Sequence, residues 1–333
     1  MTTIKDYVAA NASLPPEVIL GNITWFEVND GAYDADKLEA GFVRHNLNPH
    51  FLPRPINPAD AYEKASRNAE GHKYAVQLPD GSLGTAEILV RDVSRSDAQI
   101  VRHLVREVRD SSNKELAYDK VGELVFYRPK LVGNRVDHRS ANVRSTLAQG
   151  LTPEEHTMLV GLTQKFDADY DRYRNFHDGQ KMRGVLREYL LYLNAVLMKA
   201  SVYFVHNTRA DELARLVAFA AEFDGLSIQT WQIPDIQGHR ENVVDAFQRE
   251  AEKDMAGIIA TITKLRSTRK GGVISPGQYL KVKEEYDNVV RRAGEWGRRL
   301  EISQFRTEGA AELAAEALAT LQGDVYKYLE ETP

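Results

Sequence analysis

The chain contains no cysteine, and that one absence excludes disulfides, thiolate zinc sites, iron–sulfur clusters and cysteine nucleophiles together. Long apolar runs are missing as well: no stretch approaches the roughly 18 residues that suggest a membrane span. The opening MTTIKDYVAANAS lacks the basic segment and apolar run of a secretory signal. A soluble protein of a reducing cytoplasm is the expectation. Catalytic signatures are equally scarce. There is no GxSxG, HExxH, HxH or GxxxxGK[ST], and no GxGxxG follows a strand, so serine hydrolases, zincins, P-loop proteins and dinucleotide-dependent oxidoreductases lack sequence support.

What is present is ordinary globular material. At 333 residues, 43% hydrophobic and 27% charged, the chain can bury a sizeable core in one large mixed domain or two coupled ones. ITWFEV (23–28) is β-branched and aromatic and reads as a strand. Asp34 caps a first helix. Asn57, Pro58 and Asp60 provide a cap, a first-position proline and a first-turn acid for a second. From Tyr74 to Tyr127 the period changes to two. TAEILVRDV, QIVRHLVREVR and the apolar run LVFY predict three antiparallel strands, with ITWFEV as a fourth.

Residues 131–150 read as an irregular linker. It separates an N-terminal α+β region (1–130) from a helical region (151–333) with an embedded βαβ unit, and the two are able to share one core. Thr152, Pro153 and Glu155 open a helix as a capping box. Leu159, Leu162, Phe166, Tyr170 and Tyr173 follow at helical spacing, which favours a core stripe over a platform for bases. VYFVH, a helix from Asp211, and SIQTWQI form the βαβ unit. Long helices over about 240–265 and 276–299, then EGAAELAAEALATLQGDVYKYLEE, close the chain. The fold expected is therefore α+β: a mixed, largely antiparallel sheet with a βαβ unit and long C-terminal helices forming an antiparallel hairpin.

Two constellations carry chemistry. If the βαβ strands are parallel neighbours, their carboxyl ends place His206, Asn207, Asp235 and His239 at one sheet edge, as an acid–base pair or a partial metal site. The competing reading is structural, with Asn207 or Thr208 capping the next helix and Asp235 marking a turn; it is the one the sequence favours, because the set falls short of a complete zinc or iron site. Asp167, Asp169 and Asp171 imitate the start of a calcium loop but lack its glycine and its twelfth-position glutamate.

The second constellation is electrostatic. The net charge of −5 is segregated: residues 1–90 carry 7 basic against 12 acidic side chains, residues 251–300 carry 11 against 6, and 301–333 carry 2 against 7. KLRSTRKGGVISPGQYLKVK gathers Lys264, Arg266, Arg269 and Lys270 at a predicted helix–helix turn, with Lys281 and Lys283 beyond it. Arg135 and Arg139 add to a basic linker. Such charges suit phosphate contacts; the plain alternative is a solvated surface.

The layout of ITWFEV, FLPRPINPADAYEKASRNAE, DKVGELVFYR and VYFVHNTRADELARL resembles an uncharacterised family of actinobacterial phages. That resemblance implies a viral gene expressed in a bacterial cytoplasm and carries no catalytic residue with it. The expected function is a non-enzymatic binding protein that engages nucleic acid or another polyanion, or a host or viral protein. The alternatives are metal-assisted phosphoester chemistry through His206, Asp235 and His239, and a structural or host-interaction homo-oligomer. No cofactor is expected.

Overall fold

A computed structural model of the chain describes residues 18–132, 135–267, 275–300 and 308–331. In chain order these fold as β1 (Ile19–Val28), β2 (Ala32–Asp34), α1 (Ala35–Arg44), α2 (Pro58–Arg67), β3 (His72–Gln77), β4 (Leu83–Arg95), β5 (Gln99–Arg109) and β6 (Glu115–Tyr127). Then come β7 (Lys130–Val132), β8 (Arg135–Asp137), β9 (Asn142–Leu147), α3 (Pro153–Asn175), β10 (Phe176–Asp178), α4 (Gly179–Tyr192), β11 (Val196–Lys199) and β12 (Val202–His206). The last are α5 (Ala210–Ala220), β13 (Leu226–Pro234), α6 (Gln237–Ser267), α7 (Pro276–Leu300) and α8 (Glu308–Glu331).

Local chemistry sets several boundaries as expected. The Asp34 carboxylate accepts from the Lys37 amide (2.9 Å) at the start of α1. Asn57 accepts from the Ala59 amide ahead of Pro58, and Thr152 and Glu155 complete a reciprocal capping box on α3. Each satisfies amides that have no partner inside the helix.

The chain divides into two units. One comprises Asp30–Val43 and Leu52–Met182. Its five-stranded sheet runs β3-β4-β5-β6-β9 with every neighbour antiparallel. Ile88, Leu104, Leu124 and Phe126 face a core completed by Tyr62 and Ala65 of α2 and by Leu159, Leu162, Phe166 and Tyr170 of α3. The aromatic stripe on α3 is therefore core. Tyr62 stacks on Phe126 (5.4 Å) and donates its hydroxyl to the Leu124 carbonyl (2.9 Å), so its polar end is satisfied inside an apolar layer. Two sequence expectations are corrected here. ITWFEV is not a strand of this sheet, and residues 142–147 are not irregular: Val143, Ser145 and Leu147 alternate toward the core in β9, which pairs with β6.

The other unit comprises Met1–Asn29, Arg44–Phe51 and Arg183–Pro333. Its sheet runs β11-β12-β1-β13. β1 pairs antiparallel with β12 and with β13, so those two strands run parallel to each other but are not neighbours. The βαβ unit is split by the N-terminal strand. Gly21 permits the insertion: a Cβ there would lie 2.3 Å from the Val205 carbonyl oxygen and 2.6 Å from the Phe204 ring, closer than any side chain tolerates.

Leu20, Val196 and Phe204 of this sheet share a core with Val243, Phe247 and Met255 of α6 and Trp296 of α7. Trp296 sits 6.3 Å from Phe247, while Arg292 pairs with Glu250 (3.1 Å) and reaches Asp254 (4.0 Å). Ascending α6 while descending α7 is what an antiparallel hairpin requires. Ala314, Leu318 and Leu321 of α8 join the same core, which makes the hairpin two sides of a three-helix packing. Among the described residues no helix is long and apolar enough to cross a membrane.

Candidate functional site

The sheet edge singled out by the sequence does bring His206 and Asp235 close. Gly21 of β1 faces His206 on one side and Ile233 on the other, so the ends of β12 and β13 flank the start of β1. The Asp235 charge is felt at His206. Their hydrogen bonds, however, point elsewhere.

His206 Nδ1 accepts from the Thr208 amide (3.2 Å) and thereby caps the 3₁₀ turn Asn207–Arg209. The cap expected from Asn207 or Thr208 on the next helix is not formed: α5 starts after Arg209 with no side-chain cap bond, and the histidine caps only the 3₁₀ turn before it. An accepting Nδ1 leaves the ring proton on Nε2. The ring stands edge-on to Trp296 (5.9 Å), and burial, with Arg299 and Arg240 nearby, pushes its pKa down against the weaker pull of Asp235. His206 is thus neutral at physiological pH.

Asp235 holds Arg240 in a bidentate pair (2.5 and 2.7 Å), which keeps its carboxyl below the usual range. Its amide donates to the Val18 carbonyl (2.8 Å). His239 donates from Nδ1 to the Pro234 carbonyl (2.9 Å). Each of the three side chains tethers a strand end or a helix start. No group of three histidines and carboxylates able to hold a metal ion occurs among the described residues. Two of the three aspartates of α3 have partners of their own: Asp169 accepts from Asn68 (2.9 Å), and Asp171 lies 3.8 Å from Arg174; Asp167 has its pKa raised by burial and by Asp171.

The basic segment occupies the far end of the hairpin. Lys264 and Arg266 lie in the last turn of α6, both exposed, and Lys281 is exposed near the start of α7. Lys283 pairs with Asp287 one turn on. Arg269 and Lys270 lie outside the described residues. Residues 255–283 contain six lysines and arginines and no carboxylate. Arg135 stands in β8 and Arg139 in the following 3₁₀ turn, both in the other unit.

A third constellation was missed in the sequence. In the sheet unit, the Glu155 carboxylate accepts from Arg106 Nη1 (2.6 Å), the Tyr74 hydroxyl (3.1 Å), and the Thr152 amide and hydroxyl (both 3.2 Å). Arg106 Nη2 donates to Asp119 (2.9 Å), and its Nε is buried without an acceptor. These contacts hold Glu155 ionised despite its burial, while burial and the Glu155 charge push Tyr74 up to about 12. The network closes one end of a cavity of about 800 Å³ with an apolar floor that includes Val76, Leu78, Val108 and Met158. The sequence signal was half visible: Glu155 reads as a cap, and nothing local marks its second duty.

No curated protein and no solved structure matches the chain. The profile of one family does, over residues 19–327. With the match covering nearly the whole of both units, the chain belongs to the family of unknown function DUF6744.

Proposed function

We propose that the protein is a non-enzymatic binding protein that engages nucleic acid, or a polyanionic surface of a host or viral protein, through the far end of its α6–α7 hairpin. The observation that supports this most is the run from 255 to 283, which holds six lysines and arginines and no aspartate or glutamate of its own. The run covers the last turns of α6 and the first turns of α7. Cations gathered at one end of an otherwise acidic chain attract phosphates without needing a shaped pocket. Lys264 and Arg266 supply contacts from α6, followed in sequence by Arg269 and Lys270; Arg135 and Arg139, in the other unit, are a separate pair of candidate phosphate contacts. The pattern-level resemblance to phage proteins is what motivates reading this as an activity exercised in a bacterial cytoplasm.

The test is a filter-binding titration with single- and double-stranded DNA across a salt series. Counterion release predicts that log affinity falls linearly with log salt, and Lys264→Glu with Arg266→Glu flattens the slope by about one unit per lost contact. Binding that ignores salt, or no binding at low salt, removes the proposal.

A further inference from the structure

We infer that the cavity between β3 and the start of α3 is a peptide-binding site, in which an extended segment adds as a sixth strand to the free edge of β3. It inserts an apolar side chain over Val76, Leu78 and Met158 and offers a lysine or arginine to Glu154.

The argument begins with strand parity. β3 is the terminal strand of its sheet and pairs only with β4 among the described residues. The Leu78 amide donates to the Ser82 carbonyl (2.9 Å), closing the β3–β4 hairpin. The register above it is unbroken, with Gln77 opposite Leu83, Val76 opposite Gly84 and Ala75 opposite Thr85. In an antiparallel ladder every second pair exchanges both hydrogen bonds. Leu78, Val76 and Tyr74 therefore bond to β4, and the amides and carbonyls of Lys73, Ala75 and Gln77 turn toward the open edge.

The cavity is lined by consecutive residues from Tyr74 to Pro79. Side chains of one face account only for alternate positions. Ala75 and Gln77 nevertheless line the same space as Val76, so the cavity reaches the unpaired edge of β3. Edge strands are commonly blunted by lysine, but Lys73 reaches across to Glu87 on β4 (3.4 Å), away from Ala75 and Gln77.

Charge decides the partner. Arg106 is matched by Glu155 and Asp119, and Glu154, exposed at the cavity rim, adds a further negative charge. A basic residue complements that rim. An extended peptide supplies main-chain groups, an apolar side chain and a cation together, which is the strand-addition mode of recognition.

The experiment is selection of a displayed library of random twelve-residue peptides on the full-length protein, followed by affinity measurement on two variants. Ala75→Pro removes an edge amide that β4 does not use, so the ladder survives. Glu154→Lys reverses an exposed charge. The expected result is enrichment of peptides that alternate apolar residues and carry lysine or arginine, with affinity lowered about tenfold by Ala75→Pro, the loss of one or two backbone hydrogen bonds, and lowered also by Glu154→Lys. Should Ala75→Pro fail to fold, Glu154→Lys and the sequence pattern decide alone. Peptides that bind both variants as tightly as the parent overturn the proposal, and so does a selection with no enrichment over an unrelated protein.

Discussion

Glu155→Gln isolates one ion pair inside the sheet unit. The carboxylate is 8% exposed and its principal partner, the Arg106 guanidinium, 26%. Glutamine serves nearly as well as glutamate at the third position of a capping box, so the substitution leaves α3 capped and removes the charge. Breaking a buried pair from one side costs about 3–5 kcal/mol. Here Arg106 retains Asp119 at 2.9 Å, and Asp119 is half exposed, so the cost falls to the bottom of that range or just below it: about 2–3 kcal/mol.

The pH dependence follows from the same contacts. Arg106, the Thr152 amide and Tyr74 hold the Glu155 carboxyl below its ordinary value. A depressed carboxyl pKa contributes stability above the unfolded-state value, and that contribution is lost as pH falls through the folded one. Thermal melts of parent and variant should therefore differ most at neutral pH and converge below about pH 4. Adding Arg106→Met to Glu155→Gln should cost less than the two single changes summed, because neither member is then left buried alone. A variant that melts with the parent at neutral pH, or a gap that persists unchanged into acid, would refute the reasoning.

Two further outcomes follow from the helical unit. Gly21→Ala forces a methyl against the Val205 carbonyl and the Phe204 ring and should cost about 2–3 kcal/mol, read as a lower melting temperature; an unchanged melt would show that β1 does not need that approach. Asp254 has its pKa raised by burial and by Glu250, with Arg292 opposing only in part. A raised carboxyl pKa means that the fold loses stability as pH rises through the ordinary aspartate range, so Asp254→Asn should raise the melting temperature at neutral pH and leave it unchanged near about pH 3.

What the sequence revealed and what it hid divide along the range of the interaction. The caps at Asn57 and Thr152 involve atoms within three residues of one another, and the residues named the structure directly. The long α6 and α7 were legible for a similar reason, since a helical stripe repeats within itself. β1 was recognised as a strand but assigned to the wrong sheet, because alternation fixes which side chains share a face and not which strand lies alongside. Its partners begin at Val202 and Leu226, far down the chain. β9 was hidden by its composition: only Val143 and Leu147 are apolar, and Ser145 between them disguises the period.

The functional features obey the same division. A cluster of cations is visible in one dimension, so the hairpin end could be proposed from composition. His206 was identified as notable, yet its part in the turn comes from an acceptor nitrogen that no residue pattern records. The Glu155 network joins residues 49 and 81 positions apart, and the accessible edge of β3 exists only because β4 to β6 and β9 extend the sheet to one side alone. A binding edge is a property of topology: the same six residues of β3 in the middle of a sheet would have no open amides to offer.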